Sequence, residues 1–192
     1  MLRRSVTKAK LYELRWYDIK PDKMPRYLAL TAEKFAMRTK HSPLLGFWLT
    51  EIGGQNQVVH VWEYDSVSQR KDVRVAVGGD KAWVAEYFDE ARTLFAGQNN
   101  ALLQAAGPVA LTSDKGYFHY LNVGGVVETP KSAEAQLVAK WKTVVGQQQG
   151  QSVSLWRSRN IDALTQTGTE GGHSRLLMPL PAMHQHLAAE HL

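Results

Sequence analysis

The chain contains no cysteine, which excludes a disulfide framework, thiolate-held zinc or iron–sulfur centres and a cysteine nucleophile. Nor does it contain a run of about eighteen apolar residues, the length that a membrane-crossing helix needs, so no transmembrane segment is expected. Low-complexity tracts are missing too, and 44% hydrophobic with 21% charged residues is ordinary globular usage,. The balance is basic, 23 Lys+Arg against 18 Asp+Glu, yet there is no basic stripe. Lys20, Asp22 and Lys23, or Arg70, Lys71, Asp72 and Arg74, interleave the two signs as a solvated face does, so nucleic acid is not an expected partner. The stretch Met1–Lys10 is the exception. Arg3, Arg4, Lys8 and Lys10 stand there with Ser5, Thr7 and no acid, the composition of a short mitochondrial presequence or of a frayed basic terminus,.

What is present reads as alternating strands and amphipathic helices over 192 residues, enough for one large domain or two small ones,. From Leu11 to Tyr17 the residues Tyr12, Leu14 and Trp16 alternate with Glu13, Arg15 and Tyr17, as in a half-buried strand. Pro21 and Asp22 open a helix with Met24, Tyr27, Leu28, Thr31 and Phe35 at helical spacing and Lys34, Arg38 and Lys40 near its end, stopping before Pro43. Leu44 to Ile52 and Gln57 to Tyr64 form an antiparallel hairpin around Gly53, Gly54, Gln55 and Asn56. Asp65 or Ser66 caps the next helix, with Gln69 completing a capping box. After Gly78-Gly79, Asp80 starts a helical stretch in which Trp83, Tyr87, Glu90 and Leu94 share a face. A short strand near Gln98 to Leu103 follows. The order β-α-β-β-α-β is the ferredoxin-like pattern, an α+β fold with one antiparallel sheet and helices on one face.

Beyond Gly107-Pro108 the pattern begins again. Tyr117 to Val123 reads as a strand, Ser132 to Trp141 as a helix, and Val153 to Ser158 aligns its Trp156 with Trp62. Arg175 to Leu180 is the expected last strand and Ala182 to Leu192 a terminal helix. The expectation is a first domain over 10–105 and a shortened, degenerate second copy over 115–192.

Alternation divides the first sheet into two faces. Tyr12, Leu14, Trp16, Val59 and Val61 are expected to pack on the helices. Glu13, Arg15 and Tyr17 with Val58, His60, Trp62 and Tyr64 make the other face, too aromatic to be bare, so a second β-layer is expected to cover it. Glu13, Arg15, Tyr17, Trp48, His60, Trp62 and Tyr64 are thus the candidate pocket or interface. As a pocket, Arg15 would grip a carboxylate or phosphate and His60 would move protons. As an interface, Glu13 and Arg15 would pair and His60 would be a hydrogen-bonded aromatic. No catalytic residue is assigned, because no second carboxylate, metal-ligand spacing or nucleophile–base pair accompanies His60. No cofactor or metal is expected: Gly53-Gly54 lies in a hairpin without the Lys-Ser/Thr of a phosphate loop, and His184 and His186 point apart on a helix.

The ordered motifs Tyr12-Glu13-Leu14-Arg15-Trp16-Tyr17, Lys20-Pro21, Leu45-Gly46-Phe47-Trp48, Thr50-Glu51-Ile52-Gly53 and Asn56 through Ser66, with Arg70, Trp83 and Gln98-Asn99, resemble the NIPSNAP domain. The resemblance runs from about Leu11 to Leu103 and is weak beyond. It implies a dimeric α+β barrel, two ferredoxin-like sheets facing each other around a central cavity. It also implies a non-enzymatic, protein-binding role in vesicular traffic or mitochondrial quality control, and a mitochondrial location with the cytosol as the alternative. Protein partners are expected, with pairing in a homodimer or within one chain. The alternative is a small-ligand binder, or an oxygenase- or isomerase-like enzyme, using the barrel cavity.

Overall fold

In the computed structural model, residues 10–111, 116–124, 126–127, 132–147, 149–165, 169–170 and 172–187 are described. The alternating stretch at the start is β1 (Leu11–Ile19). A 3-10 turn at Pro21–Lys23 leads into α1 (Met24–Lys34) and α2 (Ala36–Thr39). Strands β2 (Leu44–Ile52) and β3 (Gln57–Tyr64) pair antiparallel. Gly53 and Asn56 in their turn hold φ +97° and +53°, the left-handed conformation that these residue types tolerate,. Helix α3 (Val67–Gly79) starts with Ser66 as its cap: Gln69 N–H donates to Ser66 Oγ at 3.1 Å, and Gln69 Oε1 reaches back to accept from Asp65 N–H, one residue before the cap, at 3.3 Å,. Asp80 caps α4 (Lys81–Trp83), which passes through one π-helical turn, Val84–Phe88, into α5 (Asp89–Leu94).

The next strand, β4 (Phe95–Val109), is longer than expected and runs through Gly107-Pro108. It is long because it is a seam, pairing with β1 along one edge and with the second half along the other. That half contains β5 (Phe118–Val123), β6 (Val126–Val127), β7 (Gln136–Gly146), β8 (Ser152–Ser158), α6 (Ile161–Thr165), β9 (Thr169–Glu170), β10 (His173–Pro179) and a 3-10 stretch at Pro181–His186. The helix expected over Ser132–Trp141 is replaced by β7. A β-bulge between Leu137 and Ala139 brings Leu137, Val138 and Trp141 to helix-like spacing, but from Ala139 to Thr143 burial alternates strictly,. Of the expected terminal helix, the 3-10 stretch is observed, and 188–192 lie outside the described residues.

All eight long strands close into one antiparallel barrel, in the order β1-β3-β2-β10-β5-β8-β7-β4. The sequences β4-β1-β3-β2 and β10-β5-β8-β7 are the same ferredoxin-like order used twice. The chain therefore builds the dimeric α+β barrel by itself, each sheet supplying what a second protomer would. β2 joins β10 and β4 joins β7 at the two seams.

The closed interior is largely apolar, with His119 buried among its lining. Tyr12, Leu14, Val59, Val61 and Trp48 pack there with Leu121, Val153, Leu155 and Trp141. The two halves make equivalent contacts across the barrel: Tyr12 meets Trp141 with ring centroids 5.9 Å apart, and His119, the counterpart of Tyr12, meets Trp48, the counterpart of Trp141, at 5.2 Å. Gly46 makes room for this, since a Cβ there would lie 1.9 Å from the Trp48 ring. The two faces of the first sheet are thus exchanged relative to the expectation. The set Tyr12, Leu14, Val59 and Val61 fills the barrel, and the face bearing Trp62 and Tyr64 lies beneath α1–α5, in a cluster with Tyr27, Phe35, Trp83 and Tyr87. The physical reason is chemical: the barrel interior is largely apolar, whereas the helices bring Arg38 to Tyr64 and Arg70 to Glu13 on the other face,.

Candidate functional site

The outer face of β4-β1-β3 and the helices above it enclose a cavity of about 480 Å³, within the roughly 300–1,000 Å³ of small-molecule sites. Strand register sets its floor. Arg15 lies between His60 on β3 and Asn100 on β4, and Glu13 between Trp62 and Leu102 one row away. Of the expected residues, Arg15, Tyr17, His60 and Trp62 line the cavity. Glu13 and Tyr64 stand beside them as support. Trp48 does not join them, because it points into the barrel.

Glu13 is fully buried and organises the polar side. Arg70 grips it with two hydrogen bonds, Nε to Oε2 at 3.0 Å and Nη2 to Oε1 at 2.6 Å. Asn100 Nδ2 donates to Oε1 at 2.6 Å, and the Tyr64 hydroxyl to Oε2 at 3.3 Å. Burial pushes the carboxyl pKa up, but the hydrogen bonds from Arg70 and Asn100 and the charge of Arg15 outweigh it and hold the group down at about 2,. Arg15 reaches the same carboxylate only at 3.7 Å. Its Nε is buried without a hydrogen-bond acceptor among the described residues.

Arg38 is the second unusual cation. It is buried at the end of α2 and donates to Ser42 Oγ at 2.8 Å and to the Tyr64 hydroxyl at 3.2 Å, both neutral. Its guanidinium lies 4.0 Å from the centre of the Trp62 ring, a cation–π contact worth up to about 2 kcal/mol when desolvated. Burial lowers its pKa below the ordinary arginine value. One carboxylate thus serves Arg70 twice and Arg15 at a distance, and reaches Arg38 only through a phenol.

His60 accepts a hydrogen bond at Nδ1 from Trp62 Nε1 at 2.6 Å and stacks on Phe47 with ring planes 11° apart. Burial first, then the charge of Arg15, pushes its pKa well below the usual histidine value. It is therefore a neutral ring whose proton sits on Nε2. The apolar wall comes from Phe35, Trp83, Tyr87 and Phe95, with Trp83 stacked on Tyr87 at 4.2 Å. The π turn contributes Val84, Tyr87 and Phe88 to the lining, such turns being frequent at functional sites,. Arg74, Gly78, Phe88 and Arg92 are exposed lining residues, with Arg92 paired to Asp89 at 3.3 Å. Arg38 escaped the sequence reading, where it counted only as a cation near a helix end. Its place was nevertheless visible, because Thr31, Phe35 and Arg38 fall on one helical face, and an arginine on an apolar stripe has to be paid for by function or pairing.

Among the described residues the second half does not repeat the charged pair of this site. The register that places Glu13 opposite Trp62 places Tyr120 opposite Trp156, and Arg15 opposite His60 becomes Asn122 opposite Ser154. The Trp62–His60 bond persists as Trp156 Nε1 donating to Ser154 Oγ at 3.3 Å, but both charged groups are gone. Among the described residues no group of three or more His, Asp or Glu is gathered as a metal site, and no helix is long and apolar enough to cross a membrane.

The family model named NIPSNAP matches residues 12–107, half of the chain and all of the residues around this cavity. The chain belongs to the NIPSNAP family. Protein NipSnap homolog 3A of Homo sapiens is 42% identical over 77 residues, 40% of this chain and 31% of that protein. The NIPSNAP chain thus matches about a third of the length of its curated relatives. A NIPSNAP family protein of unknown function from Agrobacterium tumefaciens superposes with a TM-score of 0.50 at 26% identity, covering 55% of this chain and 96% of that one. A putative monooxygenase from Fusobacterium nucleatum covers 90% of this chain and 93% of its own, with a TM-score of 0.58 at 13% identity, a likeness of fold alone,.

Proposed function

We propose that this NIPSNAP chain is a small-molecule binding module whose ligand occupies the cavity between the first sheet and its helices. In this reading, 10–105 is the working copy and 115–192 a shortened copy that completes the barrel. The observation that carries it is the asymmetry between the halves. Both line the barrel, and the first carries a roofed, aromatic cavity with the half-buried Arg15 and the buried Arg38, whereas among the described residues the second has uncharged Tyr120 and Asn122 where the first has Glu13 and Arg15. The pocket lies outside the barrel, and among the described residues no nucleophile or carboxylate stands in hydrogen-bond contact with His60 to suggest an enzyme site,. The test is titration with N-phenylnaphthylamine, a neutral dye that brightens in apolar surroundings. One-to-one binding that is lost in Val84→Trp, which fills the cavity, supports the reading; binding indifferent to that substitution refutes it.

A second reading is a protein-binding role at mitochondria, in vesicular traffic or quality control. Its support is family membership together with the acid-free basic stretch Met1–Lys10. A fluorescent fusion that loses mitochondrial targeting when Arg3, Arg4 and Lys8 become Gln would support it. A diffuse distribution of the unaltered protein would count against it.

A further inference from the structure

The cavity reading leaves the kind of ligand open, and the cations on its floor narrow it. Arg15 and Arg70 flank the buried carboxylate of Glu13, whose two oxygens are already occupied by Arg70, Asn100 and Tyr64, and Arg38 reaches it only through the Tyr64 hydroxyl. Arg15 stands 3.7 Å from it, beyond hydrogen-bond length, and keeps a buried Nε–H without an acceptor among the described residues. Arg38, also buried, has hydroxyl partners and an aromatic face but no carboxylate partner among the described residues. A buried cation without a counter-charge, like a buried donor without an acceptor, is unfavourable, so both sites favour an added anion. Both arginines line the same cavity, and Asp89, the one acid in its lining, is paired with Arg92. The opposite wall is apolar and aromatic, formed by Trp83, Tyr87 and Phe95.

Resting on the cavity reading, we propose that the ligand is an amphipathic organic anion: its carboxylate or phosphate head sits between Arg15 and Arg38, and its apolar body lies against Trp83, Tyr87 and Phe95. Arginine suits this role because its planar fork matches the oxygens of both head groups. The head supplies the acceptor that Arg15 Nε lacks and the charge that Arg38 lacks.

The test is displacement of N-phenylnaphthylamine from the intact chain by decanoate, decyl phosphate, decanol and decyltrimethylammonium, which share one tail. Decanoate or decyl phosphate should compete about ten- to a hundredfold more strongly than decanol, the value of one or two charge-assisted hydrogen bonds, and decyltrimethylammonium should compete least. The stronger of the two anions identifies the head group. The ratio of anion to alcohol, which cancels any change in dye affinity, should fall toward one in Arg15→Gln and in Arg38→Met. Should Arg38→Met fail to fold, the comparison in the unaltered protein and in Arg15→Gln still decides. Dye binding blocked by Val84→Trp, with anion and alcohol equal or the ammonium preferred, overturns the anion proposal and leaves the cavity reading standing. Absence of dye binding overturns both.

Discussion

Replacing Arg70 with methionine leaves a buried carboxylate without its bidentate partner. Asn100 and Tyr64 remain, and Arg15 stays at 3.7 Å. Removing one member of a buried ion pair costs about 3–5 kcal/mol, and the surviving hydrogen bonds place this case near 3. Proton linkage yields a similar figure by another route. The Glu13 carboxyl is held at about 2 against an ordinary 4.5, and at about 1.4 kcal/mol per tenfold change in proton affinity this corresponds to about 3 kcal/mol. The sign follows from the lowered value: the contribution is complete above pH 4.5 and is lost as pH falls toward 2. Urea unfolding of the unaltered protein, Arg70→Met and Glu13→Gln across about pH 2–7 reads both quantities. Arg70→Met should lose about 3 kcal/mol at pH 7. The stability difference between the unaltered protein and Glu13→Gln should change by about 3 kcal/mol between about pH 5 and pH 2. A loss under 1 kcal/mol in the first case, or a difference flat with pH in the second, refutes the view that Glu13 is the charged centre of the outer core.

Three other outcomes follow from particular contacts. Gly46→Ala should destabilise by about 1–3 kcal/mol in the same unfolding assay, because its Cβ would meet the fully packed Trp48 ring,; a neutral substitution would mean that the Trp48 ring is free to move. The His60 ring should remain neutral, with its proton on Nε2, well below the pH at which an ordinary histidine titrates; titration near the usual 6.5 in nitrogen-15 NMR would contradict its burial. Trp62→Phe should cost more than Trp156→Phe in urea unfolding, since it removes a 2.6 Å bond to His60 and weakens the aromatic face beneath Arg38, whereas Trp156 gives a 3.3 Å bond to Ser154,; equal costs would deny the first site its special environment.

The first half was legible in the sequence because its signals are local. Period-two alternation in β1 and β3, the Ser66–Gln69 cap and the Gly53–Asn56 turn each declare their element within a few residues. The second half hid its β7 because a bulge breaks the alternation at Leu137–Ala139 and imitates a helical period. Alternation also sorted the two faces of the first sheet correctly, but the face expected against the helices is the one that fills the barrel. That choice depends on distant partners, Arg38 and Arg70, whose side chains accommodate the polar face only once the helices are docked. The cavity residues on β1 and β3 were visible for their unusual polarity. Those on the helices, Arg38 above all, were not, because their role exists only across the gap between layers.

The six tryptophans report on the central claim directly, since Trp62 and Trp83 line the cavity under the helices while Trp48 and Trp141 fill the barrel. Titrating decyl phosphate into nitrogen-15-labelled protein and following the indole N–H resonances separates the two places in one spectrum. The account predicts saturable shifts of Trp62 and Trp83 with Trp48 and Trp141 unmoved. Shifts confined to Trp48 and Trp141, or none at saturating ligand, would contradict it.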